Sequence, residues 1–310
     1  METARVLAGM GASVIIGSRN KLNGENAELA IKNDFPQADI SVVELDLASF
    51  ASIHEIATNY VNSGKPLHIL INNAGVMACP KSRTADGFET QFGVNHLGHF
   101  YLTSLLLPVL AASATVEYPS RVINVSSVAN ILFAPRAGIK LDDVNLDKGY
   151  DPWLAYGQSK LANILFTNEL QRRVKAENKN IVSVSLHPGS IPSTNLPRHI
   201  SASALGFMVY DLVANLTLGH VLKEKFKTIP TGAATTVLAA LDPEILHGAY
   251  YCDCQVSTAL HPLAQDAELA SKLWELSENL VAATATRVET AAATDHSEDP
   301  KLKEIVQSHS

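Results

Sequence analysis

Cysteine is scarce in this sequence. The 310 residues hold three, Cys79, Cys252 and Cys254. They do not suggest a disulfide framework, so a reducing compartment is expected. Cys252-Asp253-Cys254 is too close-set for the usual Cys-x-x-Cys metal pair, and no matching His/Cys cluster follows it, so no metal site is expected. Basic charge is also short. Lys and Arg number 24 against 31 Asp and Glu, a formal net charge of -7; without a basic stripe, nucleic acid is not an expected partner. No run reaches the roughly 18 uninterrupted apolar residues of a transmembrane helix. Ala202 to Leu222 comes nearest, and Asp211, Asn215 and His220 interrupt it. A signal peptide is not expected either, because Glu2 and Arg5 stand where its apolar core would lie. No internal repeat is visible.

What is present is an ordinary composition, 46% hydrophobic and 18% charged, which suits one domain with a full core. Short apolar runs alternate with segments of helical period. Met1 to Met10 reads as helix, Ser13 to Gly17 as strand, Gly24 to Asn33 as helix and Ile40 to Leu45 as strand. Ser49 caps a helix to about Asn62, Leu67 to Ile71 is a buried strand, and Phe88 to Ala112 is one long helix. Arg121 to Val125 is a strand, Ala129 to Trp153 a connecting segment, Ala155 to Lys175 a helix and Ile181 to Leu186 a strand. Ser201 to Leu222 and Gly232 to Leu241 read as helices, a strand lies near Ala249 to Cys252, and Leu263 to Val281 is the last helix. From Ala282 the composition shifts to Ala, Thr, Glu, Asp and Ser, which predicts an unstructured tail over 282–310. Such alternation predicts an α/β fold, a Rossmann-like doubly wound parallel sheet in a single domain over 1–281.

Chemistry-bearing residues cluster after the strands: Arg19, Asp46, Asn72 to Gly75, Ser126-Ser127 and Pro188-Gly189. In open doubly wound sheets the ligand lies outside the carboxyl ends of the strands. Tyr156 and Lys160, four apart on a helix, share one face. An ammonium beside a phenol favours the phenolate and lowers the Tyr pKa from about 10, giving a general acid/base for an alcohol or carbonyl. The spacing alone is common, and its weight comes from the clusters around it. Ser126 and Ser127 also read as a strand-end turn, His187 as structural, and His96 and His99 as helix packing or surface.

Taken in order, Asn72-Asn73-Ala74-Gly75, the helix of Asn95, Ser127, Tyr156-x-x-x-Lys160 and Pro188-Gly189 resemble the short-chain dehydrogenase/reductase family. Val94 to Phe100, Tyr156 to Asn163, Gly232 to Thr236 and the long segment between Ser127 and Tyr156 resemble its retinol dehydrogenase-like and WW-domain oxidoreductase-like group. The resemblance implies an NAD(P)-binding oxidoreductase domain that interconverts an alcohol and a carbonyl. Tyr156 would exchange the proton, Lys160 would lower its pKa and hold the nicotinamide ribose, Ser127 would steady the substrate oxygen, and Asn95 would anchor a water leading from Lys160 to solvent. Arg19, after the second strand of the family fold, suits the 2′-phosphate of NADP(H) rather than NAD(H); a solvated surface Arg is its bland reading. Asp46 and Leu47 match adenine contacts. Asn73, Ala74 and Gly75 match the adenine ribose, and Pro188, Gly189, Ile191 and Ser193 (or Thr194) match the nicotinamide and phosphate contacts.

The apolar face Leu205, Phe207, Met208, Leu212 and Leu216 suggests a lid over a small lipophilic carbonyl or alcohol such as a retinoid, steroid or lipid aldehyde; plain core packing is the alternative. A homodimer follows by analogy only, as does a cytoplasmic location, or a membrane-associated one if preceding sequence carries an anchor. Relatives begin with a strand and a Thr-Gly-x-x-x-Gly-x-Gly turn, whereas this sequence starts inside the helix that follows. The expectation is therefore that the first, central strand and the pyrophosphate-binding turn are missing through truncation, and that NADPH is bound poorly. Two other readings stand beside the enzyme: a non-catalytic regulatory or binding member of the family, and a sugar-nucleotide epimerase, which the His/Asn signature after Val94 disfavours.

Overall fold

The structure, a computed structural model, describes residues 1–191, 193, 194, 196 and 226–297, with side chains followed as far as Thr284. The expected lid over 202–222 lies outside them. Helix α1 (Glu2–Gly9) leads into strand β1 (Val14–Ser18), then α2 (Lys21–Asp34), β2 (Ile40–Glu44), α3 (Phe50–Asn62) and β3 (Ile69–Asn72). Helix α2 begins three residues before the expected Gly24. Asn20 is the reason, since its side-chain oxygen accepts the Asn23 N–H and caps the first turn. Ser49 caps α3 in the same way through the Ser52 N–H.

The long helix expected from Phe88 to Ala112 is broken. A short helical turn, α4 (Thr90–Phe92), passes into a π turn over Gly93–Leu97 and then into α5 (Gly98–Ser113). Widening is seen directly where the Gly98 N–H reaches back five residues to the Gly93 carbonyl. Strand β4 (Ser120–Val125) follows, then α6 (Ala129–Leu132), α7 (Pro152–Ala176) and β5 (Ile181–His187). Asp151 fixes the start of α7 by accepting the Trp153 and Leu154 N–H groups, with Pro152 in the first turn.

After the undescribed stretch come α8 (Ile229–Leu241), β6 (Tyr250–Cys252), β7 (Gln255–Val256) and α9 (Ala267–Ser297). β6 and β7 form a tight hairpin, antiparallel in the register Cys252 to Gln255, that the sequence reading did not contain. The last helix also runs past Val281 to Ser297, where an unstructured tail was expected. Ala-rich sequence favours helix without needing anything to bury.

The described strands form two sheets. β1 and β2 pair in parallel, and β3-β4-β5-β6 form a second parallel array with β7 antiparallel at its edge. β4 and β5 are buried along their whole length. β1 and β3 each have one strand neighbour, and Ile15 in the middle of β1 remains 39% exposed. One apolar core, with Phe92, Leu97, Phe100, Leu161, Leu165, Leu170 and Trp274, joins α5, α7 and α9. A second, with Leu7, Ile123, Val125, Val184, Leu186 and Ala239, joins α1 and α8 to the other sheet face. Inside the first layer a polar ladder runs across elements, with Asn72 Oδ1 left without a partner. Asn72 donates to Thr103 Oγ1 and Asn124 Oδ1, and Asn124 donates to Thr167 Oγ1. These bonds tie β3, β4, α5 and α7 in one register just below the strand ends.

Candidate active site

Three chain segments leave the carboxyl ends of β3, β4 and β5 side by side, and a cavity of about 460 Å³ opens there. Asn73, Ala74 and Gly75 come from β3, Ser126 and Ser127 from β4, and His187 to Ile191 from β5. Tyr156 and Lys160 of α7 form a further wall, with the phenol 3% and the lysine 3% exposed. Lys160 Nζ lies 5.7 Å from the centre of the Tyr156 ring. It donates to the Val125 carbonyl at 3.0 Å, and burial lowers its pKa to about 8.

The two serines part company here. Ser126 Oγ donates to the Lys160 carbonyl at 2.7 Å and so fastens β4 to α7. Ser127 Oγ accepts the Ala129 N–H at 3.2 Å. Its own proton is not drawn to that partner, since a hydroxyl that accepts still has a donor to offer.

Asn95 stands behind the cavity rather than on its wall, fully buried in the π turn. Its Oδ1 accepts the Val76 N–H at 2.8 Å, and its Nδ2 donates to the Val76 carbonyl and to Ser159 Oγ, both at 2.9 Å. Ser159 in turn donates to the Tyr156 carbonyl at 2.8 Å. Asn95 is therefore the knot between the loop after β3 and the helix of Tyr156.

Of the other positions singled out in sequence, Asn73, Ala74, Gly75, Pro188, Gly189 and Ile191 reach the cavity. Ser193 is exposed and off the wall, and its neighbour Thr194 lines it. Arg19, Asp46 and Leu47 are also off the wall. Arg19 is exposed after β1, the Asp46 carboxylate accepts the Ala48 N–H, and the Leu47 side chain is core. They follow the separate two-stranded sheet, which carries them away from the ends of β3, β4 and β5.

Met77, Trp153, Leu196, Ile229, Gly232, Ala233 and Thr236 line the cavity without having been assigned to it. Only the Gly232 to Thr236 run had drawn notice, as a likeness to relatives. Trp153 is backed by Phe133, the two rings tilted at 38° with centres 4.9 Å apart.

This wall keeps room for the cofactor that the resemblance implies. A Cβ on Gly75 would come 3.2 Å from Asn95 Oδ1 and 3.5 Å from Lys160 Nζ, so glycine keeps clear the space next to the lysine. The start of α1, Met1 to Thr3, borders the same cavity; its free N–H groups favour an anion, and the carboxylate of Glu2 there is paired with Arg5. Among the described residues no group of three or more His, Cys, Asp or Glu could hold a metal ion, and no helix is long and apolar enough to cross a membrane.

Comparison with known proteins gives the family and the fold. Residues 1–138 match the short chain dehydrogenase family model. The chain is 42% identical over 284 residues to the short-chain dehydrogenase TIC 32 A, chloroplastic, of Brassica napus, covering 91% of this chain and 84% of that protein. It is 42% identical over 282 residues to human retinol dehydrogenase 12, covering 90% of this chain and 82% of that protein. Among solved structures it resembles an uncharacterized protein from Mycobacterium Paratuberculosis, with a TM-score of 0.65, 36% identity and coverage of 90% of this chain and 87% of that one. The RhlG/NADP active-site complex of Pseudomonas aeruginosa shares the fold, with a TM-score of 0.59 at 24% identity over 80% of this chain and 88% of that one.

Proposed function

The chain belongs to the short-chain dehydrogenase family, an oxidoreductase of its retinol dehydrogenase-like group, and from that premise we propose that it interconverts a lipophilic alcohol and carbonyl with NADP(H). The observation that carries this reading is the placement of Tyr156 and buried Lys160, four residues apart on α7, on one wall of the cavity with Ser127. The family works with nicotinamide cofactors, and the bound nicotinamide supplies or takes the hydride.

The chain's own residues do the rest. Tyr156 gives its phenolic proton to a carbonyl oxygen in reduction and takes it back in oxidation. The Lys160 ammonium, held beside it in a site shielded from water, favours the phenolate, and a charge acts more strongly there than in solvent. Lys160 also presents donors to the cofactor ribose. Ser127 donates to the substrate oxygen as negative charge gathers on it. Asn95 keeps the Gly75 loop and the Tyr156 turn in register. Met77, Trp153, Leu196 and Ile229 give the substrate an apolar wall, which favours retinoids, steroids or long-chain aldehydes over small polar alcohols. Exposed Arg19, one residue past β1, supports the preference for the 2′-phosphate of NADP(H).

The test is a panel of retinoids, steroids, lipid aldehydes and xenobiotic ketones assayed with NADPH and with NADH. A lipophilic carbonyl is expected to turn over faster with NADPH, and Tyr156→Phe is expected to lower turnover by about 10²–10⁴-fold, the worth of a general acid. Near-unchanged turnover in Tyr156→Phe would refute the proton-transfer role. A folded wild type that binds nicotinamide nucleotide but turns over no substrate would favour the non-catalytic reading instead.

A further inference from the structure

His99 lies one turn beyond Asn95, on α5, and is 3% exposed. Its Nδ1 is 2.9 Å from the Asn95 carbonyl oxygen. A carbonyl can only accept, so Nδ1 carries the proton and donates. The bond is placed where the helix is least self-sufficient. In a π turn the i→i−5 pattern upsets the regular pairing of N–H and C=O, and Asn95 sits in the middle of that turn. Its side-chain amide is engaged with Val76 and Ser159. A rotation of the Asn95 peptide would pull all three of those bonds, and with them Gly75 and the Tyr156 turn.

We propose that His99 is a positioning residue for the Tyr156–Lys160 proton transfer, acting through its hydrogen bond to the Asn95 carbonyl. This rests on the oxidoreductase reading above. Among the described residues, the charged and titratable groups that act on the ring are Lys160 on α7 and His96 on its own helical segment. Burial and the Lys160 charge lower the His99 pKa to about 4, so the ring stays a neutral donor through the physiological range. It adds no positive charge that would compete with the ammonium for the phenolate. The proton on His99 is structural and is not part of the relay.

Two nearly isosteric substitutions separate the donor from the bulk. In His99→Asn the side-chain amide nitrogen takes the place of Nδ1 and can still donate, whereas in His99→Leu a methyl stands there. His99→Leu is expected to lower kcat about tenfold with little change in KM, and His99→Asn to recover most of it; a slip of about 1 Å in a reacting geometry can cost up to 10²-fold. With Asn95 loosened, Lys160 holds its field on Tyr156 less well. In alcohol oxidation, where Tyr156 acts as the phenolate base, the acid limb of the pH–rate profile should then move up by about one pH unit, which is tenfold in the ionisation constant.

The same shift is read without substrate by titrating the tyrosinate absorbance, taken as the difference between each protein and its Tyr156→Phe counterpart. That readout decides the role of His99 even if the substrate class is mistaken, so the two failures are distinguishable. If His99→Leu does not fold, His99→Met, flexible and equally without a donor, replaces it. Unchanged Tyr156 titration and unchanged turnover per folded molecule in the leucine variant would overturn the proposal. Equal loss in the asparagine and leucine variants would overturn it too, because the imidazole would then matter only as packing.

Discussion

At the scale of single residues the site is a contest between burial and charge. Lys160 is 3% exposed, with its pKa lowered to about 8, yet no carboxylate pairs with it among the described ion pairs. Its Nζ leans on the Val125 carbonyl, which Asn163 Nδ2 also reaches at 3.1 Å. Replacing the lysine would thus leave that carbonyl satisfied while removing the cost of a buried ammonium. Lys160→Met is expected to abolish turnover while raising stability by about 1–3 kcal/mol, as when other buried charges give way to apolar side chains of similar volume. Paired thermal melts and activity assays check this; a destabilised methionine variant would show that the ammonium's contacts outweigh its desolvation. Sequence made Tyr156, Lys160 and Ser127 legible, because residue type and order carry them. It left His99 and His96 open between helix packing and surface, as no spacing rule says which carbonyl an imidazole will meet, and both are buried.

Among elements, the decisive contacts are close approaches of backbone. Gly157, next to Tyr156, is such a point. A Cβ there would fall 2.3 Å from the Ala134 amide nitrogen and 2.4 Å from the Phe133 carbonyl carbon, both backbone atoms that cannot swing aside. The approach sets the distance between α7 and the segment following Ser127. Gly157→Ala is expected to cost about 1–3 kcal/mol by overpacking and to lower turnover beyond what the loss of folded protein explains. Differential scanning calorimetry with active-site-normalised rates checks this, and a variant as stable and active as wild type would show that the two elements separate freely. The expected long helix from Phe88 to Ala112 hid its most useful feature in the same way. Most of its residues suit helix, Gly93, Gly98 and Pro108 excepted, and the π turn over Gly93–Leu97 coincides with the bonds that Asn95 makes to Val76 in the loop after β3 and to Ser159 on α7. Local propensity cannot register those partners.

Across the whole molecule, three deeply buried imidazoles couple stability to pH. His96 is lowered to about 3, and His99 and His187 to about 4, chiefly by desolvation, from an ordinary 6.5. In the window from pH 6.5 down to about 4 the unfolded chain therefore binds more protons than the folded one, so stability is full above 6.5 and is lost as pH falls. Each group contributes a slope approaching 1.4 kcal/mol per pH unit, against a total of about 5–15 kcal/mol. Glu89, buried and raised by desolvation, works in the opposite sense from its ordinary 4.5 upward, so it offsets part of the histidine effect, and three rings outweigh one carboxyl. The urea midpoint at pH 5 is expected to lie well below that at pH 7; equal midpoints would mean that the rings are charged in the fold or already neutral in the unfolded chain.

The α/β alternation, the parallel strands and the order of the motif residues were determined by the sequence alone. Hydrophobic period and strand-end chemistry are local properties that survive without knowledge of neighbours. Only the tertiary structure decided which of those residues share a cavity. It gathered Gly75, Ser127, Tyr156, Lys160 and Gly189 around one wall and left Arg19, Asp46 and Leu47 beyond it, because β1 and β2 pair apart from the five-stranded sheet. Assignment to a cavity depends on which strands stand side by side, a relation between distant segments that hydrogen bonding across the sheet fixes and residue order does not.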